Sequence, residues 1–239
     1  MSQETNAPLA DLARQRQAEL DERIARWRQG PGAGVRLWCG PGCGNCCSLA
    51  VNATYPEALA ITATLAAEHR EHVAAAAARI IAHARQSQDA RNFLAGYRQA
   101  VGPCPFLDGT GNCSIYQARP LACRALLATR PPDWCGINLA GLPAFERDPF
   151  LASLDRTVVA YPTHYAAAPQ ELAAAFERGL LFAMLRSNGF AFSGLLPLLV
   201  CLSSDPGFAT ALADGSADLR SYLAARHLDR PFLVQIEAP

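Results

Sequence analysis

Eight of the nine cysteines in this chain fall into two groups whose spacing is typical of metal ligands. The first group consists of Cys39, Cys43, Cys46 and Cys47. The second group consists of Cys104, Cys113, Cys123 and Cys135. Thiolates that lie close together bind zinc or iron. Because the adjacent Cys46 and Cys47 cannot easily direct both sulfurs to one ion, the first group indicates a polynuclear cluster or two neighbouring sites.

The spacing favours an iron–sulfur cluster and leaves zinc open as the alternative. Structural zinc sites usually draw their ligands from two Cys-x2-Cys knuckles, and only Cys43 to Cys46 has that spacing. Iron–sulfur clusters accept more scattered thiolates, and Cys104-Pro105 is similar to the Cys-Pro that closes some ferredoxin motifs. We therefore predict an iron–sulfur cofactor held by the eight cysteines.

A disulfide framework is the other reading of many cysteines, and three features argue against it. The N-terminus is charged and lacks the apolar core of a signal peptide. With 239 residues, 51% of them hydrophobic, the chain can bury a core without covalent links. The odd cysteine, Cys201, lies in an apolar run and is expected to be a buried core thiol. These features predict a reduced protein of a bacterial cytoplasm.

The segments 43–47, 104–107 and 113–124 together resemble the YkgJ-type cysteine-cluster family. The resemblance covers about residues 37–136 and implies a zinc- or iron-chelating domain with eight characteristic cysteines. Some members are labelled iron–sulfur oxidoreductases, and a flagellin lysine methylase carries a similar cluster. The resemblance thus implies a redox or enzymatic role of unknown substrate, with methylase-like activity that uses S-adenosylmethionine (SAM) as a weaker option. The three-residue gap after Cys39 departs from the two-residue gap of the family.

Two other functions compete with this interpretation. In the first, zinc simply staples the segment together as a non-enzymatic structural or interaction module. In the second, the spacing of Cys39, Cys43 and Cys46 is that of radical SAM enzymes. The chain lacks the repeated strand–helix units of that barrel, has Asn45 where an aromatic residue usually stands, and contains no Gly-Gly-Glu stretch, so we set this second option aside.

Several other side chains are candidates for the site. Arg119 and Arg124 flank Cys123 and are expected to bind the cofactor, by offsetting the thiolate charge or by donating to a sulfur. Tyr116 and Phe106 are expected to cover it. Three histidines complete the candidates. His164 is the first to test as an acid or base, whereas the pair His69 and His72 is expected to be solvated.

The pattern of apolar residues predicts a mainly α protein, a single helical domain with irregular cysteine-bearing loops around a metal centre. We expect an N-terminal amphipathic helix within 1–33, a metal-binding module over 34–140 and a C-terminal helical part of the same domain over 141–239. Residues 48–103 have the length of a helical hairpin that returns the chain to its start, so both cysteine groups are expected to share one site.

Local signals place the individual helices. Periodicity predicts helices over 8–29 and 169–186, and the Thr54 capping box predicts one from there to about Arg70. Residues 71–100 are expected to form one helix or two joined near 87–89. Two shorter helices are predicted to begin at the N-caps Asp205 and Ser216, and residues 231–236 read as a short strand.

The composition of the chain limits the kinds of partner that it is expected to bind. The formal net charge is zero and the pI is about 6.9, so no overall field attracts nucleic acid or an anionic membrane. The longest apolar run, 190–202, is too short to span a bilayer. We expect an unidentified redox or protein partner, with no nucleic acid and no membrane.

Overall fold

A computed structural model describes residues 3–40 and 42–238 of the chain. Within these residues ten α-helices surround a small antiparallel sheet, which confirms the mainly α prediction. The helices are α1 (Gln3–Gln29), α2 (Tyr55–Thr62), α3 (Ala67–Gln86), α4 (Ala90–Val101), α5 (Leu121–Ala125), α6 (Ala144–Ala152), α7 (Ala167–Asn188), α8 (Leu196–Ser203), α9 (Pro206–Asp214) and α10 (Ser216–Ala225). The strands are β1 (Asn52–Thr54), β2 (Ala191–Leu195) and β3 (Val234–Glu237).

Helix α1 packs its apolar face on α2 and α7, as the N-terminal periodicity predicts. Leu20 and Ile24 are buried there in one cluster with Leu121 and Leu180. Because Leu121 begins α5, this cluster also anchors the short helix that bears Cys123.

Helices α3 and α4 form the predicted hairpin, joined at 87–89. The prediction of one helix from Thr54 to about Arg70 is wrong, because α2 ends at Thr62. The Thr62 hydroxyl donates to the Ala58 carbonyl at 2.8 Å, and that of Thr64 donates to Ile61 at 3.1 Å. Such side-chain bonds compete with the helical ladder, and the chain then turns into α3.

The main core joins the cysteine-bearing segment to the C-terminal part of the chain. Tyr55, next to β1, contacts Phe192 and Phe208, with ring centroids 6.2 and 5.7 Å away. The central strand β2 pairs with β1 on one side and β3 on the other, both antiparallel. The short strand predicted at 231–236 begins at Val234, and the sequence did not predict β1 or β2.

The C-terminal helices follow their local signals closely. Gly189 ends α7 in the left-handed conformation, and the Asp205 carboxylate caps α9 by accepting from Gly207 at 2.7 Å. The prediction of Ser216 as an N-cap is wrong, because Gly215 holds that position and Ser216 is the first helical residue.

No single helix in the described part of the chain is long and apolar enough to cross a membrane. Helices α8 and α9 reach that length and hydropathy only together, and they are bent by 90° relative to each other.

Candidate metal centre

Two glycine-rich turns stack on each other and bring the first cysteine group to the second. Gly42 and Gly111 have φ angles of +81° and +86°, conformations that glycine adopts without steric strain. A Cβ on Gly111 would lie 3.6 Å from the Gly42 carbonyl oxygen, and one on Gly44 would lie 3.1 Å from Leu107. A side chain at Gly44 would require a small shift of Leu107, whereas at Gly111 the positive φ, rather than a lack of space, favours glycine. Pro41, which follows Gly40 in the sequence, lies outside the described residues.

The backbone also joins the two groups directly. The Cys104 amide donates to the Cys47 carbonyl at 2.7 Å, immediately after the α3–α4 hairpin returns the chain. Farther along, the Ala128 amide donates to the Cys39 sulfur at 3.0 Å, and the Cys39 thiol donates to the Leu126 carbonyl at 3.4 Å. These bonds place residues more than fifty positions apart within one site.

All eight grouped cysteines line a single cavity of about 260 Å³. The hairpin-length segment 48–103 predicts this shared location, and Cys39, whose spacing departs from the family pattern, lies there too. Seven of the eight are half-buried and Cys135 is buried. That they bind metal stays a prediction.

Cys201 lies apart on α8, at the edge of the main core. Cys201 is only half-buried, so the expectation of a buried core thiol is wrong. The preceding residues Leu199 and Val200 take the interior positions instead.

All nine cysteines are free thiols in the described residues. No three Cys, His, Asp or Glu side chains there converge closely enough to form a preassembled metal site. The donor set suits a thiophilic metal, and binding would have to draw the half-buried sulfurs together. Each cysteine turns about a single side-chain bond, so this movement is local.

Burial raises the pKa of several of the cavity thiols, among them those of Cys104, Cys123 and Cys135. Burial raises the pKa of Cys104 to about 11 and that of Cys135 to about 11. Burial, followed by the proximity of Cys104 and Cys46, raises the pKa of Cys123 well above its usual value. Because a metal binds the thiolate form, loading would release protons.

Arg119 places a positive charge beside the cavity, as the sequence predicts. Its guanidinium lies 3.6 Å from the Tyr116 ring centroid, and its Nε donates to the Tyr116 carbonyl at 3.0 Å. Burial raises the pKa of Cys39 and Cys113, and the Arg119 charge opposes that increase at both thiols. The Arg119 charge therefore reduces the increase in pKa at these two thiols without reversing it.

Arg124 has a different set of contacts from those expected. Its guanidinium is buried and donates to the Asp21 carboxylate of α1, to the Gln117 carbonyl and, at 2.7 Å, to the Arg119 carbonyl. Each of its three nitrogens therefore bonds to a protein oxygen rather than to a sulfur. Arg124 lines the cavity, and its bonds fix the turn and helix on either side of Cys123.

Glu57 connects two distant elements of the site, although the sequence predicted for it only a role in the capping box of α2. One carboxylate oxygen accepts from the Thr54 amide at 2.8 Å and the Thr54 hydroxyl at 2.7 Å, which confirms the capping box. The other oxygen accepts from the Leu121 amide, 64 positions away, at 2.7 Å. Glu57 is fully buried, so it ties the start of α2 to the first turn of the helix that bears Cys123.

His164 contacts a predicted ligand. Its Nε2 lies 3.2 Å from the Cys135 sulfur, and its ring stacks on Tyr165 with centroids 4.4 Å apart. Tyr165, which was not among the residues predicted for the site, lines the cavity and also hydrogen-bonds Cys135. The only local signal was the irregular aromatic segment 161–165.

The remaining candidates are two aromatic residues that line the cavity and two histidines on α3. Phe106 is buried in the main core and Tyr116 lies half-buried under Arg119, and both line the cavity as the covering role predicts. His69 and His72 meet edge to face on α3, with ring centroids 6.4 Å apart. His72 is exposed, as expected of a solvated pair.

Comparison with known protein families identifies the segment that contains this cavity. The CxxCxxCC family model, described as "Putative zinc- or iron-chelating domain", matches residues 38–138. This segment belongs to that family. The match begins just before Cys39 and ends just after Cys135, so the CxxCxxCC domain spans all eight cysteines of the cavity. No curated protein matches the chain, and no solved structure matches it.

Proposed function

We propose that the CxxCxxCC domain binds an iron–sulfur centre through Cys39, Cys43, Cys46, Cys47, Cys104, Cys113, Cys123 and Cys135, and that this centre has a redox or enzymatic role. The single observation that supports this proposal best is the gathering of all eight thiols on one cavity. A set of donors composed of thiols alone suits iron–sulfur clusters. When bound, such a centre would supply one-electron transfer.

The residues around the thiols suit such a group. Arg119 offsets the negative charge of bound thiolates, and Tyr165 and His164 hydrogen-bond the sulfur of Cys135. Hydrogen bonds to cluster sulfurs are one of the means by which proteins set reduction potentials. The half-buried position of seven thiols leaves the centre accessible to a redox partner, whose identity the chain does not specify.

A zinc-stapled module without enzymatic activity is the second candidate. The Cys43-x2-Cys46 spacing supports it, because the turn at 45–48 resembles one half of a zinc knuckle. Free thiols in either case suit a reducing compartment, and we propose the cytoplasm.

Anaerobic purification of the full chain tests the proposal. We expect brown protein with broad visible absorption, and iron and acid-labile sulfide bound in stoichiometric amounts. Colourless protein with stoichiometric zinc would instead establish the second candidate, and protein free of both metals would refute metal binding. Cys46→Ser is expected to lose metal, whereas the matched control Cys201→Ser, outside the cavity, keeps it.

A further inference from the structure

A second cavity, of about 460 Å³, lies beside the cysteine cavity. The two cavities share four lining residues, which are Leu49, Val51, Tyr97 and Leu126. We propose that the second cavity binds a small zwitterion, a molecule with one ammonium and one carboxylate group, between Glu177 and Arg98. This proposal does not depend on which metal the cysteines bind.

The size and the walls of the second cavity suit a small ligand. Ligand pockets usually measure roughly 300–1,000 Å³ and are lined mainly by apolar side chains. Small side chains leave the space open here, because the lining includes Ala122 and Ala125 of α5 and Ala173 and Ala174 of α7. Leu94 also lines the cavity and is 57% exposed, so a ligand can enter from solvent.

Two opposite charges line this cavity. Among the described residues, Glu177 of α7 and Arg98 of α4 are the only charged side chains in its lining. They form no ion pair with each other. A carboxylate and a guanidinium on two different helices complement a ligand that carries both signs of charge. A ligand with a single charge would leave one of the two groups without a counter-ion.

Glu177 supplies the site for the ammonium group. Its side chain is half-buried and accepts no hydrogen bond within the part of the chain that the structure describes. Burial and the nearby Glu57 carboxylate raise the pKa of Glu177 to about 7, against the effect of the Arg178 charge. Above that pH the ionised carboxylate is poorly solvated, and a ligand ammonium would offset this cost.

Arg98 supplies the site for the carboxylate group. Its Nη2 donates to the Cys135 carbonyl, whereas its Nε and Nη1 have no acceptor within the described residues. A guanidinium binds a carboxylate through two N–H groups at once, so Arg98 retains donors for a ligand. The same side chain thus connects the second cavity to the turn that bears Cys135.

Calorimetric titration of the full chain, purified anaerobically and kept at pH 8, tests the proposal with defined probes. L-leucine and γ-aminobutyrate are zwitterions that differ in the separation of their charges. Each is compared with the amine and the carboxylate that result when one charged group is removed, which are isoamylamine and isocaproate for leucine and propylamine and butyrate for γ-aminobutyrate. We expect at least one zwitterion to bind saturably. Its two singly charged counterparts should bind roughly tenfold more weakly, because each lacks one charged hydrogen-bond pair.

Charge substitutions locate the two contacts. Glu177→Gln and Arg98→Gln should each weaken zwitterion binding roughly tenfold. Glu171→Gln and Arg91→Gln are the matched controls, because these residues are exposed on the same two helices and do not line the cavity. Both controls should bind the zwitterion as wild type does.

A size substitution separates binding in the cavity from binding at the surface. Ala174→Leu fills space inside the cavity and should abolish zwitterion binding. The control is Ala175→Leu, at an exposed position of α7 outside the cavity lining, which should bind as wild type does. Equal binding by these two variants would place the ligand elsewhere and overturn the proposal.

The comparison of probes on the wild-type chain does not depend on how well any variant folds. The proposal fails if neither zwitterion binds saturably, or if an amine or a carboxylate alone binds as tightly as its parent zwitterion. It also fails if Glu177→Gln binds the zwitterion as Glu171→Gln does. Iron and zinc are measured in the same samples, so the absence of metal and the absence of this ligand site are separate results.

Discussion

Replacing Glu57 by alanine should loosen the helix that bears Cys123. The Glu57 carboxylate is fully buried and accepts three hydrogen bonds, two from Thr54 and one from the Leu121 amide. Alanine removes the acceptor and leaves three buried donors without a partner. The perturbation therefore acts on two elements that are far apart in sequence.

The magnitude follows from these contacts. Each hydrogen bond contributes about 1–1.5 kcal/mol net, and leaving a buried donor unpaired costs at least as much. Three such bonds give roughly 3–5 kcal/mol. Burial raises the pKa of Glu57, so placing the ionised carboxylate in the interior itself costs free energy, and its removal offsets part of the loss. We expect a net destabilisation of about 3 kcal/mol, which lowers Tm by roughly 6–12 °C in a chain of this length.

Urea unfolding of the metal-free protein, followed by circular dichroism, measures this effect without a contribution from metal. Glu71→Ala is the matched control, because Glu71 is exposed on α3 and its replacement should change stability by less than about 0.5 kcal/mol. Glu57→Gln keeps one acceptor oxygen, so its free energy of unfolding should lie between those of Glu57→Ala and wild type. An unfolding free energy for Glu57→Ala within about 0.5 kcal/mol of wild type would refute the conclusion that Glu57 holds α2 and α5 together.

Three further predictions concern regions outside the cysteine cavity. Burial raises the pKa of Glu177 to about 7, so the stability that its protonated form provides is lost as pH rises through 7. Glu177→Gln should therefore stabilise the protein by about 2 kcal/mol at pH 8 and by little at pH 5. Urea titrations at both pH values measure this difference. Gly194→Ala should destabilise by about 2–3 kcal/mol, because its Cβ would lie 2.5 Å from the Leu233 carbonyl oxygen; a thermal shift within about 2 °C of wild type would contradict this. Asp205→Ala should cost about 1 kcal/mol at pH 7 through loss of the α9 cap. The hydrogen bond from Tyr222 lowers the pKa of Asp205, so its contribution is lost as pH falls through that pKa, and the difference between mutant and wild type should shrink near pH 3.

The local sequence determined the elements whose stabilising contacts lie nearby in the chain. The periodicity of α1 and α7, the break at 87–89 and the Asp205 cap depend on residues within a few positions of one another. For the same reason the capping box of Thr54 was predictable. The end of α2 was not predictable, because it depends on hydrogen bonds from Thr hydroxyls to the backbone and on the burial of Leu65.

The cysteine spacing by itself also determined the type of site. Eight thiols in two groups, separated by a hairpin-length helical segment, indicate a metal-binding domain from residue types and spacing alone. The match of residues 38–138 to the CxxCxxCC family confirms that prediction at the level of zinc or iron chelation.

Only the tertiary structure decided which residues are neighbours within the site. The 64-residue reach from Glu57 to Leu121, the contact of His164 with Cys135 and the strands β1 and β2 all depend on partners distant in sequence. A single sequence records residue types and local periodicity but not these pairings, since long-range contacts form only when the whole core packs. The sequence therefore predicts eight ligands, and the fold decides which of them face one another.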